Sequence, residues 1–80
     1  MNRLLTNAPG YLVDVVATAP GQLVIKILDI HGRIAKTIKE TAQQGANQLA
    51  IHLNDLQSGS YVLNIFNNET FVKAVRYMKN

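Results

Sequence analysis

Five solitary glycines, at positions 10, 21, 32, 45 and 59, divide this 80-residue chain into pieces 11, 11, 13 and 14 residues long. Turn signals at intervals of about 8–12 residues are the mark of an all-β sandwich or barrel. The apolar pattern between the breaks agrees, because apolar and polar residues alternate with the period of 2 expected of strands that bury one face. Leu12 to Thr18 is rich in β-branched residues and ends at Ala19-Pro20-Gly21, a turn in which proline presets φ and glycine tolerates a positive one. Gln22 to Asp29 carries Leu23, Ile25 and Ile27 on one face and Lys26 on the other.

Ala46 to Leu53 has the cleanest alternation, Asn47, Leu49, Ile51 and Leu53 against Gln48, Ala50 and His52. Ser60 to Phe66 and Thr70 to Met78 follow as strands, joined through Asn67-Asn68-Glu69 as a hairpin. The segment Ile34 to Gln44 admits two readings. Ile34 and Ile38 at i, i+4 followed by Lys-Glu-Thr-Ala-Gln-Gln suit a short helix, whereas period 2 puts Ile34, Lys36 and Ile38 on one face of a strand that then becomes a loop. The strand requires that Lys36 snorkel from an edge position. A strand and loop fit the whole-chain pattern better. The pattern gives six strands and leaves room for a seventh near Arg3 to Thr6, hence an antiparallel β-sandwich of six to seven strands in one domain spanning residues 1–80.

Composition restricts function more than it specifies it. With 48% hydrophobic and 16% charged residues the chain is too apolar for a disordered tail, and no run approaches the roughly 18 apolar residues of a membrane span. The net charge of +3 is spread along the sequence, so no dense basic stripe marks a nucleic-acid footprint; the local exception is the last strand, where Lys73, Arg76 and Lys79 follow only Glu69. Phe71 to Tyr77 interleaves aromatic and basic residues, but an amphipathic strand with Phe71, Val75 and Tyr77 inside and Arg76 outside accounts for it. Zero cysteines removes disulfides and thiolate metal sites. Met1 to Thr6 lacks the apolar stretch of a signal peptide, so an exported chain would need its leader elsewhere.

Catalytic patterns are missing as well. His31 and His52 are two histidines without a third ligand, Ser58 and Ser60 do not occupy a Gly-x-Ser-x-Gly elbow, and the scattered glycines form no phosphate loop. Neither an enzyme nor a cofactor is expected.

Two motifs remain. Asp29-Ile30-His31-Gly32-Arg33 leaves a strand as a turn in which Asp29 accepts amide hydrogens, Gly32 takes a positive φ and Arg33 is a solvated charge. Leu56-x-x-Gly59-x-Tyr61-x-Leu63-x-Ile65 leads into a strand with a tyrosine at its start. In immunoglobulin-like sandwiches such a tyrosine buries its ring and returns its hydroxyl to the upstream backbone. Leu56 would then cap the core beneath it, and Gly59 would supply an unusual backbone angle or a close approach.

Taken in order with Gly45-x-Asn47-x-Leu49-x-Ile51-x-Leu53 and a lysine-bearing last strand, these motifs resemble the C-terminal sorting domain that Gram-negative bacteria with a type IX secretion system append to exported proteins. The resemblance covers roughly Gln22 to Lys79, and Asn7-Ala8-Pro9 approximates the Asn-Pro pair with which the family usually opens. It implies a seven-stranded immunoglobulin-like sandwich that directs an N-terminal passenger through the outer membrane. It implies as well that a sortase-like peptidase then cuts the domain off and that the passenger is attached at the cell surface. By motif position it also implies that Gly59 and Tyr61 support recognition indirectly, and that Lys73 and Lys79 do so more directly near the chain end. The exposed edge of the last strand, Lys73 to Asn80, is the expected surface for β-augmentation, and it leaves a dimer through an edge strand open. The competing reading is a fibronectin-type binding or spacer module of a secreted protein.

Overall fold

A computed structural model describes residues 10–80, all of whose regular elements are strands. They are β1 (Tyr11–Ala17), β2 (Gly21–Leu28), β3 (Ile34–Ala42), β4 (Gly45–Ile51), β5 (Gly59–Asn67) and β6 (Thr70–Lys79). The Arg3 to Thr6 segment and the Asn7-Ala8-Pro9 stretch lie outside the described residues. Ile34 to Gln44 is a strand through Ala42 followed by a turn, so the helical alternative is excluded. Its neighbours decide the matter, since β2 offers it a full antiparallel partner.

Among the described residues these six strands form two antiparallel sheets, one in the order β3-β2-β5-β6 and the other β1-β4. The inner face of the larger sheet supplies Leu23, Ile25, Ile27, Leu63 and Ile65, each fully buried, and Tyr61 beside them. The smaller sheet answers with Val13, Val15 and Ala17 from β1 and Leu49 and Ile51 from β4, with Leu53 just beyond. Alternate residues of the same strands face outward, which is why the period of 2 could be read from the chain.

Two bulges alter that period. Ile27 pairs with Lys36 but Leu28 pairs with Ile34, leaving Ala35 as an extra residue on β3. Ile65 pairs with Lys73 but Phe66 pairs with Phe71, leaving Val72 extra on β6. Each bulge turns the residues beyond it to the other face. Ile34 therefore sits outside, away from the face of Lys36 and Ile38, and Phe71 is 55% exposed rather than inside as its spacing from Val75 predicts. Phe71 stacks edge-on against Phe66 on the outer face, ring centroids 5.8 Å apart. Val75 and Tyr77 do turn inward, packing partly buried against the core, and Arg76 is outside as expected.

The strand registers sort the connections into two ends. The Asp29–Arg33 turn, the loop from His52 to Ser58, the start of β5 and the close of β6 lie at one end. The β1–β2, β3–β4 and β5–β6 connections lie at the other.

Candidate recognition surface

The Asp29 turn is built by its own side chain. Oδ1 accepts from the His31 amide at 2.8 Å and the Arg33 amide at 3.0 Å, and Oδ2 accepts from Arg33 Nε at 3.3 Å. Backbone bonds from Gly32 N to Asp29 O and from Asp29 N to Arg33 O close the turn, and Gly32 adopts φ 79°, which a side chain would resist. These amides, the Arg33 amide first, hold the Asp29 carboxyl below its ordinary value of 3.8, and the Arg33 charge adds to the effect. The Arg33 side chain is otherwise solvated.

At the same end stands the tyrosine corner. The Tyr61 hydroxyl donates to Gln57 O at 2.6 Å while its ring is buried, and Leu56 packs partly buried against the core below. Gly59 has φ 149° with open space where a Cβ would stand, so the requirement there is the backbone angle and not a close approach.

Gly45 and Asn47 sit at the opposite end. Asn47 Nδ2 donates to Gln43 O at 2.8 Å and Gly45 O at 3.0 Å, and its Oδ1 accepts from the Gln43 amide at 3.1 Å. One amide side chain thereby ties the whole β3–β4 turn. The chain thus separates Gly45 and Asn47 from Asp29, Gly32, Arg33, Leu56, Gly59, Tyr61 and Lys79, which gather at one end; Lys73 lies midway along β6, opposite Ile65.

Three lysines of the edge strands, Lys36, Lys73 and Lys79, point inward. Lys73 Nζ donates to Asp14 O at 2.8 Å and Lys79 Nζ to Leu53 O at 2.8 Å, both reaching from β6 to the main chain of the facing layer. Lys36 does the same from β3, donating to His52 O at 2.8 Å and to both Asp55 carboxylate oxygens at 3.0 and 3.1 Å. It snorkels from an edge as its position in the pattern required. The Lys36 bond is the main cause of a lowered Asp55 carboxyl, with the charges of Lys36 and Lys79 contributing.

One structural residue was missed by the sequence. Asn67 is only 4% exposed at the end of β5, where Nδ2 donates to Ala19 O and Gln22 O and Oδ1 accepts from the Ala19 amide, each at 3.2 Å. It pins the connection between the two sheets. The signal was present: Tyr61, Leu63 and Ile65 place Asn67 next on the inner face. Its neighbour Asn68, with φ 58°, accepts from the Gln22 amide at 2.9 Å and donates to Pro20 O at 3.1 Å.

His31 and His52 are both exposed, and among the described residues no group of three or more His, Cys, Asp or Glu is placed to hold a metal. Among the described residues no helix is long and apolar enough to cross a membrane. A groove of about 420 Å³ forms on the outer face of the larger sheet, between the Asp29–Ile30 segment and the paired ends of β5 and β6, and a smaller one of about 300 Å³ lies around Lys26, Lys39 and Phe66. The larger groove brings both sequence motifs beside the last strand.

No curated protein and no solved structure matches the chain. A family model described as the secretion system C-terminal sorting domain matches residues 12–78, from β1 nearly to the end of β6. The span holds β2 to β5 whole, all but the first residue of β1 and all but the last of β6, together with both motif turns and the inward lysine Lys73. With most of its length matched and the expected sandwich formed, the chain belongs to the type IX secretion C-terminal sorting domain family, a signal for export to the cell surface or the extracellular space.

Proposed function

We propose that the chain acts as one folded label for a passenger on its N-terminal side: the type IX machinery takes the passenger across the outer membrane, a sortase-like peptidase removes the label, and the passenger stays attached at the surface. The observation that carries this is the family match over residues 12–78. The pairing of the Asp29 turn and the Tyr61 corner at one end of the sandwich supports recognition of a folded shape. Gly59 and Tyr61 act by fixing the corner. Lys73 and Lys79 act by holding β6 against the smaller sheet, since their ammonium groups are spent on Asp14 O and Leu53 O.

A fluorescent reporter carrying a cleavable signal peptide and these 80 residues tests the reading in a host with and without the type IX translocon. Surface or medium fluorescence that requires the translocon is expected, with a reporter whose mass lacks the label. A reporter left in the periplasm of both hosts refutes export, and a surface reporter of full mass refutes cleavage. Deleting Met78 to Asn80 removes the Lys79 tie and is expected to stop export.

A further inference from the structure

The outer face of the larger sheet has an apolar end. Ile34, Leu28, Val62 and Arg76 form one row across the four strands, because Leu28 pairs with both Ile34 and Val62 and Val62 pairs with Arg76. Beyond this row, Ser60 pairs with Met78, and Ile30 projects from the Asp29 turn. Ile30 is 73% exposed, Met78 64% and Ile34 56%, so three of the large apolar side chains that the described residues leave in water lie here. Scattered exposed apolar residues need no explanation, whereas a contiguous group around a groove does. The groove of about 420 Å³ falls within the range of about 300–1,000 Å³ typical of binding sites.

The charge at this end is unbalanced. Arg76 lines the groove and makes no ion pair among the described residues. Asp29, the one carboxylate in the wall, already accepts from two amides and from Arg33. The chain as a whole carries +3. An occupant therefore has to bring both an apolar group for the floor and a negative charge for the rim. The edges of this sheet are poor alternatives for docking, since β3 and β6 each carry a bulge and an inward lysine, devices that discourage strand addition.

We propose that this groove docks a short polypeptide segment of a partner protein in which an aspartate or glutamate neighbours a bulky apolar side chain, the carboxylate meeting Arg76 and the apolar group resting on Ile30, Val62 and Met78. The inference rests on the export reading, in which the partner is a component of the secretion apparatus. A polypeptide fits better than an anionic glycan or lipid headgroup because the lining is mainly apolar and holds a single uncompensated cation.

The test is a titration of the ¹⁵N-labelled 80-residue chain with two blocked pentapeptides, Asp-Leu-Asp-Phe-Asp and its asparagine counterpart Asn-Leu-Asn-Phe-Asn. The acidic peptide is expected to shift the amides of Ile30, Val62, Arg76 and Met78 together, with the asparagine peptide binding about tenfold or more weakly. Arg76→Ala should abolish that preference, Arg76→Lys should restore part of it, and Val62→Lys should block both peptides, with circular dichroism confirming that each variant folds. Equal affinity for the two peptides overturns the proposal, as do shifts confined to β1 and β4, or the same shifts on adding inorganic phosphate alone. In the reporter assay Arg76→Glu should stop export. Export of that variant at the unmodified level overturns the groove while leaving the export reading intact. Failure of the unmodified label to export overturns the export reading, and the titration then still decides the groove.

Discussion

Replacing Tyr61 by phenylalanine isolates the one interaction that makes the corner more than a buried ring. The ring is nearly fully buried and Phe keeps it, so no cavity opens; what is lost is the hydroxyl bond to Gln57 O at 2.6 Å. A net hydrogen bond contributes about 0.5–1.5 kcal/mol, and Gln57 is exposed enough for water to replace part of it, so a cost of about 1 kcal/mol is expected. For 80 residues the unfolding entropy is about 0.17 kcal/mol/K, which converts that cost into a fall in Tm of about 6 °C. Tyr61→Ala removes the ring as well and should cost about 3–5 kcal/mol, comparable to the whole stability of a small domain. Thermal and urea unfolding followed by circular dichroism measure both. A Tm for Tyr61→Phe within 1 °C of the unmodified chain, by any estimate of the bond, would refute the assignment of the corner to this hydroxyl. The export assay adds a second readout. If the corner acts through shape, Tyr61→Phe exports normally, and a stable Tyr61→Phe chain that fails to export shows that the hydroxyl itself is read.

Asn67→Asp should be worse than Asn67→Ala at neutral pH, by about 1 kcal/mol or more in urea unfolding, because a carboxylate would face the carbonyls of Ala19 and Gln22. That aspartate's folded pKa is raised, so its penalty should shrink as pH falls through that value; equal losses at pH 4 and pH 7 would contradict the assignment. Lys73→Val removes the inward charge of an edge strand and should produce concentration-dependent association in light scattering, whereas a strictly monomeric variant would show that the bulge at Val72 alone protects the edge. Asp29 and Asp55 are both lowered from 3.8 in the folded chain, so their contribution is complete above the unfolded value and is lost as pH falls through the folded ones. Tm should therefore drop below about pH 4, and an Asp29→Asn, Asp55→Asn double variant should show a shallower drop in the same titration.

The strands were legible because most of them bury one face against a thin core, and burial of alternate residues is what a period of 2 encodes. The Asp29 turn and the Tyr61 corner were legible for a different reason: each is built from hydrogen bonds within four residues, so local sequence contains all the participants. Ile34 and Phe71 were placed on the wrong face because a bulge is a relation between two strands. Nothing in Ile34-Ala35-Lys36 or Phe71-Val72-Lys73 by itself says that Ala35 or Val72 lacks a partner. Asn67 was overlooked because asparagine beside asparagine suggests a turn, although its phase with Ile65 already placed it inside. The groove was invisible for the same reason as the bulges, since Ile30, Val62 and Met78 meet only through the pairing of three strands.

Among the described residues two strands face four, and the inward lysines stand on β3 and β6, the two edges of the larger sheet. A purely apolar residue at such an edge would be half in water, and a short polar one would leave the core uncovered. Lysine satisfies both demands, because its stem lies over apolar neighbours while its ammonium reaches a main-chain carbonyl at the margin of the smaller layer. Lys36 finds His52 O on one side, and Lys73 and Lys79 find Asp14 O and Leu53 O from β6. Lys73 and Lys79 of β6 thus have their ammonium groups engaged in closing the sandwich, and Arg76, the one basic residue of β6 that faces outward, is the charge on which the proposed docking groove depends.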